Sequence, residues 1–275
     1  MFPNFINLFG VQITTYGLMI ACAFAVLWLC SVSRGEKLGY PADFIPNIMM
    51  IVAVSAFVFA RLLHVLVDWE SYAEHPYKIV FSRDGFVYLG GFVGAIIATV
   101  VYSRCKGIRP LALGDLFAPY LALAQGIGRI GCFLFGCCYG GVCSHSWAVR
   151  FPQDSPAFYD HLNRGLIDAM ASASLPVHPT QLYESFFNFA HFAVLLLIRL
   201  RQKFLGQLAM CYLMIYSAGR FAIEFFRGDF RGALGPLSTS QIMSLLLFAG
   251  GLAGYLILRR RMISPETIVL PQTES

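Results

Sequence analysis

Charged residues are scarce in this chain of 275 residues. Lysine, arginine, aspartate and glutamate together make up 13% of the sequence and hydrophobic residues make up 57%, whereas soluble domains carry about 25% charged residues. This composition excludes an ordinary soluble domain. Internal repeats, low-complexity tracts and Gly/Ser-rich linkers are also absent, so no feature indicates a second domain. We therefore predict one transmembrane domain over residues 1–275 that is all-α and polytopic.

The sequence shows neither a cleavable secretory signal nor a charge pattern typical of a nucleic-acid-binding protein. The first apolar stretch, VQITTYGLMIACAFAVLWLC, lacks the basic segment and the small-residue cleavage site of a secretory signal, which predicts that it is retained as a span. The formal net charge of +5 does not indicate a nucleic-acid partner, because the basic residues recur in clusters along the chain. No nucleic-acid partner is expected.

Apolar segments of the length needed to cross a bilayer, roughly 20 residues, recur along the chain instead. We predict about seven spans, at residues 13–32, 46–67, 86–103, 113–136, 182–198, 207–226 and 238–258. Basic clusters such as Arg34 with Lys37, and the run from Arg259 to Arg261, occupy alternate gaps. By the positive-inside rule these gaps are cytoplasmic. The N-terminus is then outside, the C-terminus is cytoplasmic, and a long external loop covers about residues 139–181.

Three arginines, Arg61, Arg129 and Arg220, fall within or near these spans. An arginine at the bilayer centre costs about 2.5 to 3.5 kcal/mol, so such residues face a bundle interior or a wet cavity. Arg220, Glu224 and Arg227 are spaced four and then three apart and share one helix face. Either they form a structural ion pair, or Glu224 neutralises one arginine while the other binds an anion. A planar guanidinium suits phosphate, because its donors match two oxygens at once.

Arg129 lies in the segment GIGRIG, between Gly128 and Ile130. Small residues allow helices to approach closely, or allow a substrate to approach the backbone. Close helix packing would explain the glycines of this segment. It would not explain the arginine between them.

The segment DLFAPYLALAQGIGRIGCFLFGCCYG (residues 115–140) resembles the signature of the bacterial prolipoprotein diacylglyceryl transferases. The resemblance continues in order through TTYGLMI, ARLLHVL, GFVYLGGFVGA, HPTQLYES, GRFAIEFFRGD and LSTSQIMSL, so it covers essentially the whole chain. It implies an inner-membrane enzyme that transfers the diacylglyceryl group of phosphatidylglycerol to the lipobox cysteine thiol of a preprolipoprotein and releases glycerol phosphate. Its partners would be these two substrates and membrane lipid, with no cofactor and no metal.

The resemblance also implies roles for individual residues. Arg129 is expected to bind the phosphate of the lipid, with Arg220 as the second essential arginine. Tyr16, Gly140, Glu224 and Arg227 match further motif positions. The expected catalytic set is Arg129, Arg220 and Tyr16, and the expected substrate-binding set is Arg129, Arg220, Glu224, Arg227, Gly140, His178, Gln181 and Tyr183.

The last three of these residues lie in the segment HPTQLYES, which admits two interpretations. In one, Thr180 caps the fifth span and Glu184 interacts favourably with the helix dipole. In the other, His178, Gln181 and Tyr183 gate the site or contact the lipid headgroup. The sequence leaves both open.

The chain departs from the family pattern at the position of the expected base. Well-known members carry a histidine where this chain has Leu89. Tyr88, Tyr16 or His178 could replace it, and the sequence does not distinguish among them. A divergent member with another acceptor therefore remains an alternative, as does a lipid or anion transporter, although a transporter would be expected to show inverted repeats.

The cysteines are the other departure. Cys132 and Cys137 replace asparagine and glutamate of the common signature, and Cys138 and Cys143 follow. Their spacing fits no standard CxxC zinc pair. Cys137 and Cys138 are adjacent, so on a helix they would point in different directions. We therefore expect small apolar packing residues, with a metal site or a disulfide involving Cys143 as the alternatives.

Overall fold

The computed structural model describes residues 4–8, 11–73, 77, 87–228 and 233–265. The described elements in chain order are β1 (Asn4–Leu8), β2 (Val11–Thr14), α1 (Thr15–Lys37), α2 (Phe44–Val67), α3 (Trp69–Ala73), α4 (Tyr88–Cys105), α5 (Pro110–Phe135), α6 (Pro156–Asn163), α7 (Thr180–Leu200), α8 (Gln207–Glu224), β3 (Ala233–Leu234), β4 (Leu237–Ser238) and α9 (Thr239–Arg261).

A helix lies at each of the seven segments where the sequence predicts a span. These helices are α1, α2, α4, α5, α7, α8 and α9. Five of them, α1, α2, α5, α7 and α9, are long and apolar enough to cross a membrane, and α4 is a shorter apolar helix. The prediction of an all-α polytopic membrane protein is confirmed. The number of seven crossings and the sides on which the termini lie stay predictions.

The start of the chain differs from the predicted pattern. β1 and β2 form a small antiparallel hairpin in which Leu8 pairs with Val11. Consequently α1 begins at Thr15, two residues after the predicted start of the first span. The β-branched residues Val11, Ile13 and Thr14 favour the strand over a further helical turn.

The described residues group into two compact units. One contains residues up to Leu29 together with Gly114–Pro265, and the other contains Cys30–Leu113. The prediction of a single domain over residues 1–275 stays a prediction.

The Cys30–Leu113 unit is built on close packing of α2 against α4. A Cβ atom added at Gly94 would lie 2.6 Å from the Cβ of Phe59 and 2.8 Å from the carbonyl oxygen of Ser55, so only glycine fits there. Arg61, one of the arginines predicted to need a partner, lies over the ring of Tyr72 at 5.3 Å from its centroid. Part of its charge is therefore balanced by a cation–π contact.

In the larger unit, Asp115 joins α5 to the start of α8. Its carboxylate accepts hydrogen bonds from the backbone N–H groups of Gly206 at 2.6 Å and Ala209 at 2.9 Å, and from the side-chain amide of Gln202 at 2.6 Å. An acidic group is stabilising at a helix N-terminus, where backbone donors lack partners. Asp115 thus fixes the position of α8, the helix that carries Arg220.

The predicted external loop of about residues 139–181 is folded in the structure. It contains α6, whose N-cap Ser155 accepts a hydrogen bond from the backbone of Phe158 at 3.2 Å. The ring of Phe151 is fully buried in this loop. The Tyr139 hydroxyl donates to the Asp160 carboxylate, which ties the start of the loop to α6. The loop is therefore a packed layer that can hold side chains in place.

Candidate active site

Three arginines converge on one buried carboxylate, Glu184, in the first half of α7. Its Oε2 atom lies 2.5 Å from Nε of Arg129 on α5. Its Oε1 atom lies 2.9 Å from a terminal nitrogen of Arg220 on α8 and 3.3 Å from one of Arg227, which follows α8. We call Arg129, Arg220, Arg227, Glu184 and Glu224 the arginine cluster.

The second carboxylate of the cluster, Glu224, fixes Arg220 from the other side. Oε2 of Glu224 lies 2.6 Å from a terminal nitrogen of Arg220, an ion pair by distance without hydrogen-bond alignment. The Ser238 hydroxyl donates to Oε1 of Glu224 at 2.9 Å, and Arg220 donates to the Ser240 hydroxyl at 3.3 Å. Because Ser238 is also the N-cap of α9, in a capping box with Gln241, α9 helps to hold Arg220.

The cluster keeps an excess positive charge. Three guanidinium groups face two carboxylates, which leaves a formal charge of +1. The Arg129 side chain is 23% exposed, compared with 9% for Arg220 and 3% for Arg227. Within the described part of the chain, Arg129 pairs with a carboxylate through its Nε atom only. Its two terminal nitrogens are therefore the donors best placed to meet an anion.

Glu184 is the site residue that the sequence interpretation missed. The sequence suggested that it interacts with the helix dipole, but it lies beyond the first turn of α7 and pairs with all three arginines. A usable signal was present, because an acidic residue inside an apolar span needs cationic partners. Glu224 does form an ion pair with Arg220, as one interpretation of the sequence offered, and Arg220 pairs with Glu184 as well.

The start of α7 contacts the backbone that follows α5. The prediction that Thr180 caps α7 is wrong, because Thr180 is the first helical residue and the cap position is Pro179. The Thr180 hydroxyl donates instead to the carbonyl of Cys138 at 2.9 Å. The Gln181 amide donates to the carbonyl of Cys137 at 2.7 Å. Both residues are fully buried, so they fix the cysteine segment in place.

Gly140 lies where three segments of backbone meet. Its N–H donates to the carbonyl of His178 at 2.9 Å, and it forms a β-bridge with Arg227. A Cβ atom here would lie 2.5 Å from the carbonyl oxygen of Phe226 and 2.6 Å from the Cβ of His178. The absence of a side chain thus allows the Arg227 segment to approach, whereas a Cβ at the neighbouring Gly141 would meet no atom within 4 Å.

His178 and Tyr183 belong to a group of aromatic residues beside this junction. Nδ1 of His178 lies 3.2 Å from the Tyr183 hydroxyl, which also accepts a hydrogen bond from Nε1 of Trp147 at 2.9 Å. The ring of His145 stacks on Trp147 with 4.6 Å between centroids. The structure brings these two predicted residues together, and their roles toward a substrate stay predictions.

Tyr16 lies in the first turn of α1 and is 39% exposed. Its ring packs against Phe135 at 6.0 Å between centroids, and its hydroxyl interacts electrostatically with Arg129. Close approach of α1 to α5 requires Gly131, where a Cβ would lie 2.8 Å from the Cβ of Met19. Helix packing therefore explains this glycine of the GIGRIG segment.

Cys132, Cys137 and Cys138 bring their sulfur atoms together, all within 4.8 Å of one another. The expectation that Cys137 and Cys138 point apart on a helix is wrong, because α5 ends at Phe135. Gly136 then turns the chain with a φ of +83°. Cys143, the candidate for a disulfide, is not disulfide-bonded in the structure. We call the three converging residues the thiol cluster.

Comparison with known proteins identifies relatives along nearly the whole chain. The family model described as prolipoprotein diacylglyceryl transferase matches residues 3–257. A phosphatidylglycerol–prolipoprotein diacylglyceryl transferase 2 of Clostridium perfringens is 36% identical over 90% of this chain and 92% of its own length. The phosphatidylglycerol–prolipoprotein diacylglyceryl transferase of Clostridium tetani is 35% identical over 92% of this chain and 96% of its own length. The transferase of the same name from Clostridioides difficile is 33% identical over 93% of this chain and 94% of its own length.

These matches extend well beyond the signature segment. They cover the helices that supply the arginine cluster, from α5 to the start of α9. This chain therefore belongs to the prolipoprotein diacylglyceryl transferase family.

Proposed function

We propose that this chain transfers the diacylglyceryl group of phosphatidylglycerol to the lipobox cysteine thiol of a preprolipoprotein and releases glycerol phosphate. Membership of the family makes it a transferase of lipoprotein maturation. Its apolar helices and its bacterial relatives make it a multi-pass protein of the inner membrane. Phosphatidylglycerol and a preprolipoprotein are its two proposed substrates, taken from the names of the relatives.

The observation that carries this proposal is the positive charge of the arginine cluster with Arg129 as its most exposed member. During transfer, the acceptor sulfur attacks an sp3 carbon of the lipid glycerol, and the bond from that carbon to the phosphate oxygen breaks. Negative charge then builds on the departing phosphate. Guanidinium groups fixed at that point stabilise the transition state more than the ground state.

The residues have different proposed roles. Arg129 binds the phosphate through its terminal nitrogens, and Arg220 adds positive charge from a more buried position. Glu184 positions all three guanidinium groups, and Glu224 positions Arg220. Holding long side chains in one geometry before the substrate arrives reduces the cost of reorganisation at the moment of reaction.

The proposed topology places this chemistry at the outer face of the membrane. Arg129 is near the C-terminal end of α5, Glu184 is near the N-terminal end of α7, and Arg220 is near the C-terminal end of α8. With seven spans and an external N-terminus, all three ends are external. A secreted preprolipoprotein would then meet the folded loop that carries Gly140, His178 and Tyr183.

The base that activates the acceptor thiol is the open part of the proposal. Leu89 occupies the position where the resemblance predicts a histidine, and the side chain of Tyr88 lies outside the part that the structure describes. The candidates stay Tyr88, Tyr16 and His178. Transfer by Tyr88→Phe, Tyr16→Phe and His178→Ala variants distinguishes them, because loss of the base slows attack by the thiol.

The test is a transfer assay with the purified chain, phosphatidylglycerol and a lipobox peptide. Mass spectrometry detects the diacylglyceryl adduct on the peptide and the released glycerol phosphate. We expect Arg129→Ala to lower the rate at least about a hundredfold, the effect of removing an anion-stabilising donor. The matched control is Arg201→Ala, because Arg201 is an exposed arginine at the other end of α7.

Two results would contradict the proposal. If folded wild-type protein forms no adduct, a different acceptor or a transport function is favoured. If Arg129→Ala transfers as fast as Arg201→Ala, Arg129 does not bind the phosphate.

A further inference from the structure

The thiol cluster has the dimensions of a metal site. Zinc binds thiolate sulfur at about 2.3 Å, so two sulfurs on one tetrahedral ion are separated by about 3.8 Å. The sulfurs of Cys132, Cys137 and Cys138 all lie within 4.8 Å of one another. Rotation of the side chains and small shifts would bring them onto one ion.

The backbone around these cysteines is held in an uncommon conformation. Cys138 has a φ of +63°, in the left-handed region that residues other than glycine rarely adopt. The carbonyls of Cys137 and Cys138 accept hydrogen bonds from the buried side chains of Gln181 and Thr180. Strain of this kind persists where the surrounding structure enforces it, and it concentrates at functional sites.

We propose that the thiol cluster binds one zinc ion through three thiolates and leaves a fourth position open. Thiolates are soft ligands that select zinc over magnesium or calcium. In the described part of the chain, no further cysteine, histidine or carboxylate completes the group. Three protein ligands with one open position are the arrangement of catalytic zinc sites, whereas structural sites are closed by a fourth ligand.

The proposed role of the ion rests on the proposed function. The acceptor cysteine of the preprolipoprotein occupies the open position, and its thiol proton is released to solvent, because a thiol that coordinates zinc is deprotonated. The zinc-bound sulfur uses its electron pair to form the new bond to the glycerol carbon. The bond from that carbon to the phosphate oxygen breaks, and glycerol phosphate leaves with that bonding pair.

The proposed zinc site would activate the acceptor thiol in place of the histidine that this chain lacks at position 89, where it has Leu89. A chain without the expected histidine still needs the acceptor sulfur as thiolate, and a free cysteine of pKa about 8.5 is mostly protonated at neutral pH. The Arg129 guanidinium interacts electrostatically with Cys132 and Cys138. The proposed zinc site and the arginine proposed to bind the phosphate therefore lie in the same region of the protein.

Metal binding is tested first, without reference to activity. Full-length protein purified in detergent with reductant is depleted of metal and titrated with zinc alone, and bound metal is measured by mass spectrometry. We expect one zinc per chain, an X-ray absorption spectrum with three sulfur ligands, and sulfur-to-metal charge-transfer absorption when cobalt replaces zinc. Cys138→Ser and Cys137→Ser should weaken zinc binding at least tenfold, the usual minimum effect of disturbing a zinc site.

The matched control is Cys143→Ser, a nearby cysteine outside the cluster. It should bind zinc as the wild type does. Absence of stoichiometric zinc in wild-type protein would overturn the proposal, as would equal zinc affinity of Cys138→Ser and Cys143→Ser. The absorption spectrum needs only wild-type protein, so a variant that fails to fold does not prevent the test.

Activity then separates this inference from the proposed function. We expect metal-depleted protein to bind phosphatidylglycerol but to lose transfer at least tenfold, with recovery on addition of zinc. Full transfer by metal-depleted protein would overturn the activating role and leave the proposed function intact. Stoichiometric zinc with no transfer by the loaded protein would overturn both the proposed function and the activating role that rests on it, leaving only the metal site.

Discussion

Replacing Glu184 by glutamine tests whether one carboxylate organises the arginine cluster. Glutamine keeps the size of the side chain and removes its charge, so Glu224 would be the one carboxylate left in the arginine cluster and the formal charge of the cluster would rise from +1 to +2. The Glu184 side chain is only 5% exposed. Removing one partner of a buried ion pair costs about 3 to 5 kcal/mol, because the remaining charge is left without compensation.

The matched control is Glu224→Gln, which changes the formal charge by the same amount. The Glu224 side chain is similarly buried, but its ion pair is with Arg220, which keeps Glu184 as a second partner. The free energy of unfolding should therefore fall by less than half as much in Glu224→Gln as in Glu184→Gln. Denaturant unfolding in detergent, followed by tryptophan fluorescence, measures both.

Transfer rates complete this comparison. Glu184→Gln should lower the rate at least about a hundredfold, because misplaced guanidinium groups no longer meet the developing phosphate charge. Equal stabilities of the two variants would refute the reasoning. So would a Glu184→Gln variant as stable and active as the wild type, since Glu184 would then not be the organising residue.

Two further predictions concern the folded loop. Gly140→Ala should destabilise the protein by about 1 to 3 kcal/mol, because its Cβ would overlap Phe226 and His178, whereas Gly141→Ala should leave the unfolding midpoint unchanged; equal midpoints would contradict the close approach. Burial lowers the pKa of His161, whose Nδ1 accepts a hydrogen bond from the backbone of Leu175. In the unfolded loop His161 binds a proton more readily than in the folded loop. The stability that neutral His161 gives the loop should therefore be fully present above about pH 6.5, and it should decrease as the pH falls below that value. The rate of loop proteolysis measures this effect, and a rate that stays the same between pH 7 and about pH 5 would contradict the prediction.

The sequence was sufficient to predict the helices and most members of the arginine cluster. Apolar length located the seven helices, and the cost of a buried charge marked Arg129 and Arg220 as residues that need partners. The spacing of Arg220, Glu224 and Arg227 predicted an ion pair of Glu224 with one of the two arginines, because such pairs follow from the helical period, and the structure forms it with Arg220.

The remaining features depend on contacts between distant segments. Glu184 lies 55 positions after Arg129 in the sequence and 36 before Arg220, so no periodicity relates them. The thiol cluster forms because α5 ends at Phe135 and Cys138 adopts a left-handed backbone conformation. Neither feature follows from local propensity, since tertiary hydrogen bonds from the start of α7 hold that turn.

The most direct test of the central claim is an experimental structure of the chain with bound phosphatidylglycerol. The proposed function predicts phosphate oxygens within hydrogen-bonding distance of the terminal nitrogens of Arg129, with Arg220 and Glu184 in the arrangement described above. A headgroup bound elsewhere, with Arg129 still paired only to Glu184, would contradict it.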